Sequence, residues 1–175
     1  MKNIVHFEPI TNETYDSYIE VGTKAYNQHY LHLWPDGNSF PYIESSFTIT
    51  VLKKEESDLN TILYRILINK KAIGVLKITL DATLGSFSKK EALYIDKIYI
   101  LNEHSGQGVG KKVLQFVMLR AQEMDKKIVW LDTMQKGPAK DFYLKNRFEI
   151  HSESKVLLPT VIQDESLMWV MVKKC

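Results

Sequence analysis

The stretch from residue 92 to residue 134 constrains this chain more than any other. It reads as a strand (ALYIDKIYIL), a short polar and glycine-rich segment, a helix, and a second strand (KIVWLDTM). The helix is marked by Val109, Val113, Phe116, Val117, Ala121 and Met124, whose spacing by three and four puts them on one face. Two strands joined through a packed helix pair in parallel, with a right-handed crossover. Upstream, TILYRILIN and AIGVLKITLD flank Asn69-Lys70-Lys71 in the pattern of a hairpin. Downstream, FEIHSESKVLL and LMWVMVKK form another antiparallel pair. One parallel connection among hairpins predicts an α/β fold, with a mixed, mostly antiparallel sheet of six to seven strands and helices on both faces.

The remaining segments fit around that sheet. NIVHFEP, residues 3 to 9, opens as a strand, and Thr11-Asn12-Glu13 offers caps for a helix from Tyr15 to His29. Pro35, Asp36-Gly37 and Pro41 predict a loop over residues 31 to 41. A second helix is expected from Ile43 to Glu56, against the β-branched run from Thr48 to Val51. PAKDFYLKN reads as a short helix with Pro138 in its first turn.

Composition removes several classes of function. The 175 residues are 45% apolar and 25% charged, which fits one domain over residues 1 to 175, large enough to bury a core without staples. A single cysteine, Cys175, excludes a disulfide within the chain. The net charge of +2 is too balanced for charge-driven binding of nucleic acid, so any anionic ligand must be held locally. No apolar run approaches the ~20 residues that span a bilayer, and the opening MKNIVHFEPITNE lacks the apolar run of a signal peptide. A cytoplasmic protein without a membrane partner is the expectation.

Ser105-Gly106-Gln107-Gly108-Val109-Gly110 lies between strand and helix, where glycines allow a tight turn and outward-pointing amides that attract phosphate. A Walker A loop would need glycine at Ser105 and Ser or Thr at Lys112, so that pattern fails. A dinucleotide fingerprint would need its third glycine at Lys111, and that fails too. A glycine-rich helix cap without a ligand is the bland alternative.

IYILNEHSGQGVGKKVL resembles the strand, loop and helix of the Gcn5-related N-acetyltransferases, whose motif is Arg or Gln, two residues, Gly, one residue, Gly or Ala. Gly108 and Gly110 stand as the motif glycines, and Ser105 replaces the usual Arg or Gln. KAIGVLKIT, with Gly74, is similar to the family's third strand, and KDFYLKNRFEI is similar to its F-Y-x-K-x-G-F pattern, with Arg147 where glycine is expected. The likeness runs over roughly residues 61 to 172. The I-V-W-L strand before the F-Y helix most resembles the PaiA-like polyamine acetyltransferases.

The resemblance implies the acyl-CoA N-acyltransferase fold, with acetyl-CoA as donor. Its pyrophosphate would rest on the amides of Gly106, Gln107, Gly108, Val109, Gly110 and Lys111 behind Ser105. Its pantetheine would pair with the backbone of Ile98, Tyr99 and Ile100, and the Ile100 N–H would polarise the thioester carbonyl, as in an oxyanion hole. Lys136 and Arg147 would add positive charge near the nucleotide end. Tyr143 matches the family tyrosine beside the CoA sulfur, the general acid.

Amine attack on a thioester also needs loss of a proton. Asp96 shares strand parity with Ile98 and Ile100, so it is expected on an otherwise apolar face as a base, the alternative being an edge or bulge position paired to a lysine. Tyr94 has the same parity. His29, Tyr30, His32 and Trp34 crowd into six residues, a polar and aromatic cluster suited to an amine acceptor or to closing a loop. No convincing partner completes a metal site around His29 and His32, so no metal is expected. Cys175 is a poor place for an acyl intermediate, and direct transfer in a ternary complex follows. The reading is an N-acetyltransferase acting on a primary amine of a small molecule or peptide. A CoA-binding regulatory module without turnover is the alternative. The apolar LMWVMVKK would suit a homodimer.

Overall fold

The computed structural model describes residues 4–175. Asn3, expected at the head of the first strand, lies outside them. Seven strands form one sheet: β1 (Val5–Pro9), β2 (Thr61–Ile68), β3 (Lys71–Thr79), β4 (Ala92–Ile100), β5 (Ile128–Met134), β6 (Glu149–Lys155) and β7 (Leu167–Lys174). Their order is β1-β2-β3-β4-β5-β7-β6, and only β4 and β5 are parallel. The β2–β3 hairpin turns on Asn69 and Lys70, both at positive φ (50° and 64°), the twist a two-residue hairpin requires.

The helices are α1 (Tyr15–Tyr30), α2 (Phe40–Ser46), α3 (Ile49–Ser57), α4 (Val109–Glu123) and α5 (Ala139–Lys145). On one face of the sheet, Tyr18, Ala25 and Leu52 from α1 and α3 pack with Leu63 and Val75. On the other face, Val113, Val117 and Ala121 of α4 pack with Ile66, Leu76, Ile78 and Leu93. Each of the valine, leucine and isoleucine side chains among these contributes about 1.5–3 kcal/mol by leaving water.

Two expectations are corrected between α1 and β2. The region read as a loop over residues 31–41 contains tight helical turns at Leu31–Leu33 and Pro35–Gly37, and α2 already begins at Phe40. The single helix expected from Ile43 to Glu56 is two, because Phe47 (φ −128°) and Thr48 (φ −126°) leave helical geometry and Thr48 Oγ1 caps α3 by accepting from the Val51 N–H. The β-branched run therefore straddles a break.

Strands β4 and β5 position the site. Their pairing runs from Ala92↔Ile128 to Ile95↔Leu131 and stops, although β4 continues to Ile100 and β5 to Met134. Beyond Ile95 the two strands part and leave backbone edges facing a gap inside the sheet. Asp96 sits where they diverge. Lys77 pairs with Lys97 while Ile78 pairs with Ile95, so Asp96 is the extra residue of a β-bulge.

Candidate active site

The bulge reverses the parity expected for β4. Leu93 and Ile95 face α4, and after the bulge so do Ile98 and Ile100, whereas Tyr99 packs with the α1 side. Asp96 therefore does not share a face with Ile98 and Ile100. Its carboxylate lies 3.1 Å from Lys77 Nζ, which is also 2.6 Å from Glu55 of α3. Of the two readings held for Asp96, the geometry is that of a lysine-paired bulge residue.

Two cavities meet at the parting of β4 and β5. The first, about 490 Å³, runs from the glycine loop to the strand: Ser105, Gly106, Gly108, Gly110 and Lys111 line one end, and Ile98, Tyr99 and Ile100 the other. His29, Tyr30, Phe142 and Tyr143 complete its walls. The second, about 350 Å³, lies on the α1–α2 side, between Tyr26, Tyr42, Tyr94 and Lys97 on one hand and Leu131, Asp132, Leu158 and Met168 on the other. Tyr30, Ile98, Tyr99 and Tyr143 belong to both.

The loop cavity is a cradle of backbone. Gly106 (φ 73°) and Gly108 (φ 78°) hold the left-handed conformation that brings the chain onto the N-terminus of α4, and no atom lies within 4 Å of where their Cβ would be. Gly110 is required for another reason: a Cβ there would come 2.9 Å from the Phe142 ring. That close approach seats α5 against α4 and delivers Tyr143 to the junction of the cavities. His104 Nδ1, buried at the same wall, has no hydrogen-bond partner among the described residues.

Not every expected residue brings a side chain to this cavity. Gln107 turns back to donate to the Glu103 carbonyl (2.8 Å), and the Val109 side chain is buried in the core, so neither side chain lines the cavity. Lys136 is held 2.7 Å from Glu165 on the surface. Arg147 adopts positive φ (66°), the conformation that makes glycine common at such a position, and lines a groove with Lys111, Lys145 and Lys173. Lys111 joins this basic groove to the loop cavity.

The aromatic cluster separates into different roles. Trp34 is 2% exposed and its indole N–H donates to Tyr26 Oη (2.9 Å), so it braces the wall from behind. His32 is exposed and lines neither cavity. His29 faces the loop cavity, its Nε2–H donating to the Ile100 carbonyl (2.9 Å). Tyr30 stands at the junction and Tyr94 in the second cavity. Burial raises the pKa of Tyr143, Tyr99, Tyr30, Tyr42 and Tyr94 above the ordinary tyrosine value, so each keeps its proton at neutral pH.

Polar residues of the second cavity that escaped the sequence reading include Asp132, Lys97, Tyr42, Thr133 and Lys155. Asp132 accepts from Tyr94 Oη (2.9 Å) and from Ser154, with no cation paired to it among the described residues. Asp132 alternates with apolar neighbours in IVWLDTM, a signal that marks an outward strand position but not a cavity. No group of three or more His, Cys, Asp or Glu side chains is arranged to hold a metal among the described residues. No helix among them is long and apolar enough to cross a membrane.

A sheet opened between its parallel strands beside an amide-lined glycine turn defines an acyl-CoA N-acyltransferase fold. Comparison with solved structures gives the same architecture. The PaiA N-acetyltransferase of Thermoplasma acidophilum, crystallised with coenzyme A, superposes with a TM-score of 0.77 at 15% identity, over 98% of this chain and 99% of that one. An acetyltransferase-like protein of Staphylococcus epidermidis, described as probable in that activity, gives 0.74 at 13% identity over 98% and 99%. An uncharacterised N-acetyltransferase from the pepI 3′ region of Lactobacillus delbrueckii subsp. lactis is 23% identical over 128 residues, 73% of this chain and 74% of that protein. Residues 16–148 match the acetyltransferase (GNAT) family. The chain belongs to that family, an N-acetyltransferase class whose acetyl donor is acetyl-CoA. The match begins well before residue 61, so it takes in the α1–α3 segment as well.

Proposed function

We propose that the protein transfers an acetyl group from acetyl-CoA to a primary amine of a small molecule or peptide by direct attack in a ternary complex. The observation that carries this reading is the junction itself: two cavities of different chemistry share Tyr143, Tyr30, Tyr99 and Ile98.

The loop cavity fits the donor. Open space over Gly106 and Gly108 leaves the amides at the start of α4 accessible to a pyrophosphate, and the helix N-terminus favours that negative charge. The unpaired edge of β4 from Ile98 to Ile100 suits the amides of the pantetheine arm, which would extend the sheet where β5 has parted from it. The groove of Lys111, Lys145, Arg147 and Lys173 suits the remaining phosphate. When bound, acetyl-CoA supplies an activated acyl thioester. The Ile100 N–H serves as the donor to the thioester carbonyl. Tyr143, still protonated at neutral pH, serves as the acid that protonates the departing thiolate.

The second cavity takes the amine. Asp96 and Asp132 both line this cavity, but Asp96 is engaged by Lys77, whereas Asp132 has only neutral hydroxyls on it. Asp132 therefore holds the incoming ammonium and drains its proton, and Asp96 serves as a positioning group through the Lys77–Glu55 link. We place the reaction in the cytoplasm, where the free thiol of Cys175 stays reduced.

The test is the melting temperature with acetyl-CoA, CoA, NAD and ATP in parallel. A ligand at 100 times its dissociation constant stabilises by about 2.7 kcal/mol. A shift specific to acetyl-CoA and CoA, followed by amine-dependent release of free thiol, is expected. A shift without thiol release from any amine would leave a CoA-binding module, and no shift would remove the donor site.

A further inference from the structure

Lys97 is the least explained group in the molecule. It is 6% exposed, yet it lines the acceptor cavity. Among the described residues its ammonium donates no hydrogen bond. Its nearest carboxylate oxygen, on Asp96, is 4.0 Å away, and the other oxygen of that carboxylate is 3.1 Å from Lys77. What holds Lys97 in place is aromatic: Nζ lies 5.7 Å from the centre of the Tyr42 ring and 5.4 Å from that of Phe47. Burial pushes its pKa below the ordinary lysine value, with the Asp96 carboxylate acting against that and Lys77 adding to it.

An ammonium has three N–H groups, and leaving them unmet on a side chain this buried costs free energy. Lys77 shows what a satisfied lysine looks like in the same network, with carboxylates at 2.6 and 3.1 Å. Lys97 lacks that, and it faces the space where the acceptor binds. A second donor stands nearby. The Tyr42 and Tyr99 hydroxyls are 2.6 Å apart, an arrangement that uses one of their two protons and leaves the other to donate elsewhere. On the strand across the cavity, Asp132 offers the opposite sign of charge.

We infer that Lys97 is an anion-binding group of the acceptor site, and that the acceptor is an amino carboxylate, a small molecule carrying a carboxylate as well as the primary amine that is acetylated. This deepens the acetyltransferase reading and rests on it. Asp132 takes the ammonium and Lys97, with the Tyr42–Tyr99 pair, takes the carboxylate. Between them Leu131, Leu158 and Met168 line the wall, and the volume of about 350 Å³ suits an apolar amino acid or a short peptide presenting its carboxyl end. A polycationic acceptor would place positive charge against Lys97 and is disfavoured.

Matched pairs test this: L-leucine against isopentylamine, L-phenylalanine against phenethylamine, L-tyrosine against tyramine, and leucylglycine as a short peptide. Each is measured twice, by thiol release with acetyl-CoA and by calorimetric binding to the CoA-loaded protein. Wild type should favour the carboxylate-bearing member by about 10- to 100-fold, the worth of hydrogen bonds to a charged group. Lys97→Met should erase that ratio, and Lys97→Arg should keep part of it. The melting shift produced by CoA reports that each variant is folded, since Lys97 does not line the donor cavity. Equal or better use of the plain amines by wild type overturns the inference, as does a ratio unchanged in Lys97→Met, or failure of every carboxylate-bearing compound to bind. If the pairs discriminate in binding but release no thiol, the anion site stands and the transferase reading falls.

Discussion

The two ends of the β4–β5 pair are built on opposite principles. At the closed end, where Ala92 pairs with Ile128, the strands are clamped by charge: Lys126, whose side chain is 2% exposed, lies 2.5 Å from Asp81 and donates to the Lys90 carbonyl, and Lys127 pairs with Glu91. At the open end the pairing stops at Ile95↔Leu131, and the edges beyond it face cavities instead of each other. Backbone polar groups are seldom left unmet inside a protein, so an open edge in a central sheet position is a place prepared for another partner. The clamp stabilises the fold, and the opening is where the proposed chemistry would sit. Variants at the two ends should therefore fail in different ways.

The largest effect is expected at the clamp. Asp81→Asn leaves Lys126 buried without its counter-ion and should lower stability by about 3 kcal/mol. Chemical denaturation reads this directly. Acetyl-CoA affinity of the folded protein should be unchanged, and a lost donor site would show that the two ends are coupled. Acid should act on the same clamp. Hydrogen bonds from Lys126 and Lys90 hold Asp81 below the ordinary carboxylate value, and those from Lys127 and Ser88 push Glu91 down to about 2. Carboxylates with depressed values contribute stability above the unfolded value of about 4, and that contribution is lost as pH falls through the folded values. Wild type should lose stability between about pH 4 and pH 2, and Asp81→Asn should show a shallower loss.

At the opening the effect should be on rate. Tyr143→Phe removes the proton that the proposed mechanism offers to the leaving thiolate, and kcat should fall about 100-fold, the lower range for a general acid. The ring still packs against Phe142 and Phe148, so the melting temperature should hold within a degree or two. A large drop in stability with normal turnover would instead make Tyr143 a packing residue. Gly108→Val should come next, with donor affinity lowered about 10-fold: a branched residue at φ 78° is strained and would shift the cradle by a cost of order 1–3 kcal/mol.

The same contrast explains what was legible in the sequence. The strand–helix–strand unit, the hairpins and the glycine loop are local patterns, and each appears in the structure near its expected bounds. The loop is built of backbone, so its glycines mark the turn in the sequence, whereas its proposed ligand follows from the family resemblance and not from spacing. The proposed acceptor side is assembled from side chains distant in sequence, Tyr42 with Tyr99 and Asp132 with Tyr94 and Ser154, and no window contains them together. Asp96 shows a second limit. One bulged residue reverses strand parity, and nothing in YIDKIYI decides between plain alternation and a bulge, so the sequence leaves both placements of the carboxylate open and the structure selects the bulge. Trp34 and His32 mark a third: an aromatic cluster in sequence says nothing about which ring becomes wall and which becomes brace.

The smallest predicted effect is also the sharpest test of a cradle made from backbone. Ser105 stands where the family motif has Arg or Gln, and its side chain is the one piece of that motif this chain lacks. Its amide already donates to the Asn102 carbonyl (3.0 Å), closing the turn before the loop, so only the hydroxyl remains for a ligand. The residue is exposed, and exposed substitutions of this kind change stability by no more than about 0.5 kcal/mol. Ser105→Ala should therefore alter acetyl-CoA affinity less than about 2-fold, since 0.4 kcal/mol corresponds to a factor of two. Gly108→Val, three residues away, should exceed it several-fold. If Ser105→Ala weakens donor binding as much as Gly108→Val, a side chain holds the ligand, and the contrast between a backbone-built donor site and a side-chain-built acceptor site fails at its first residue.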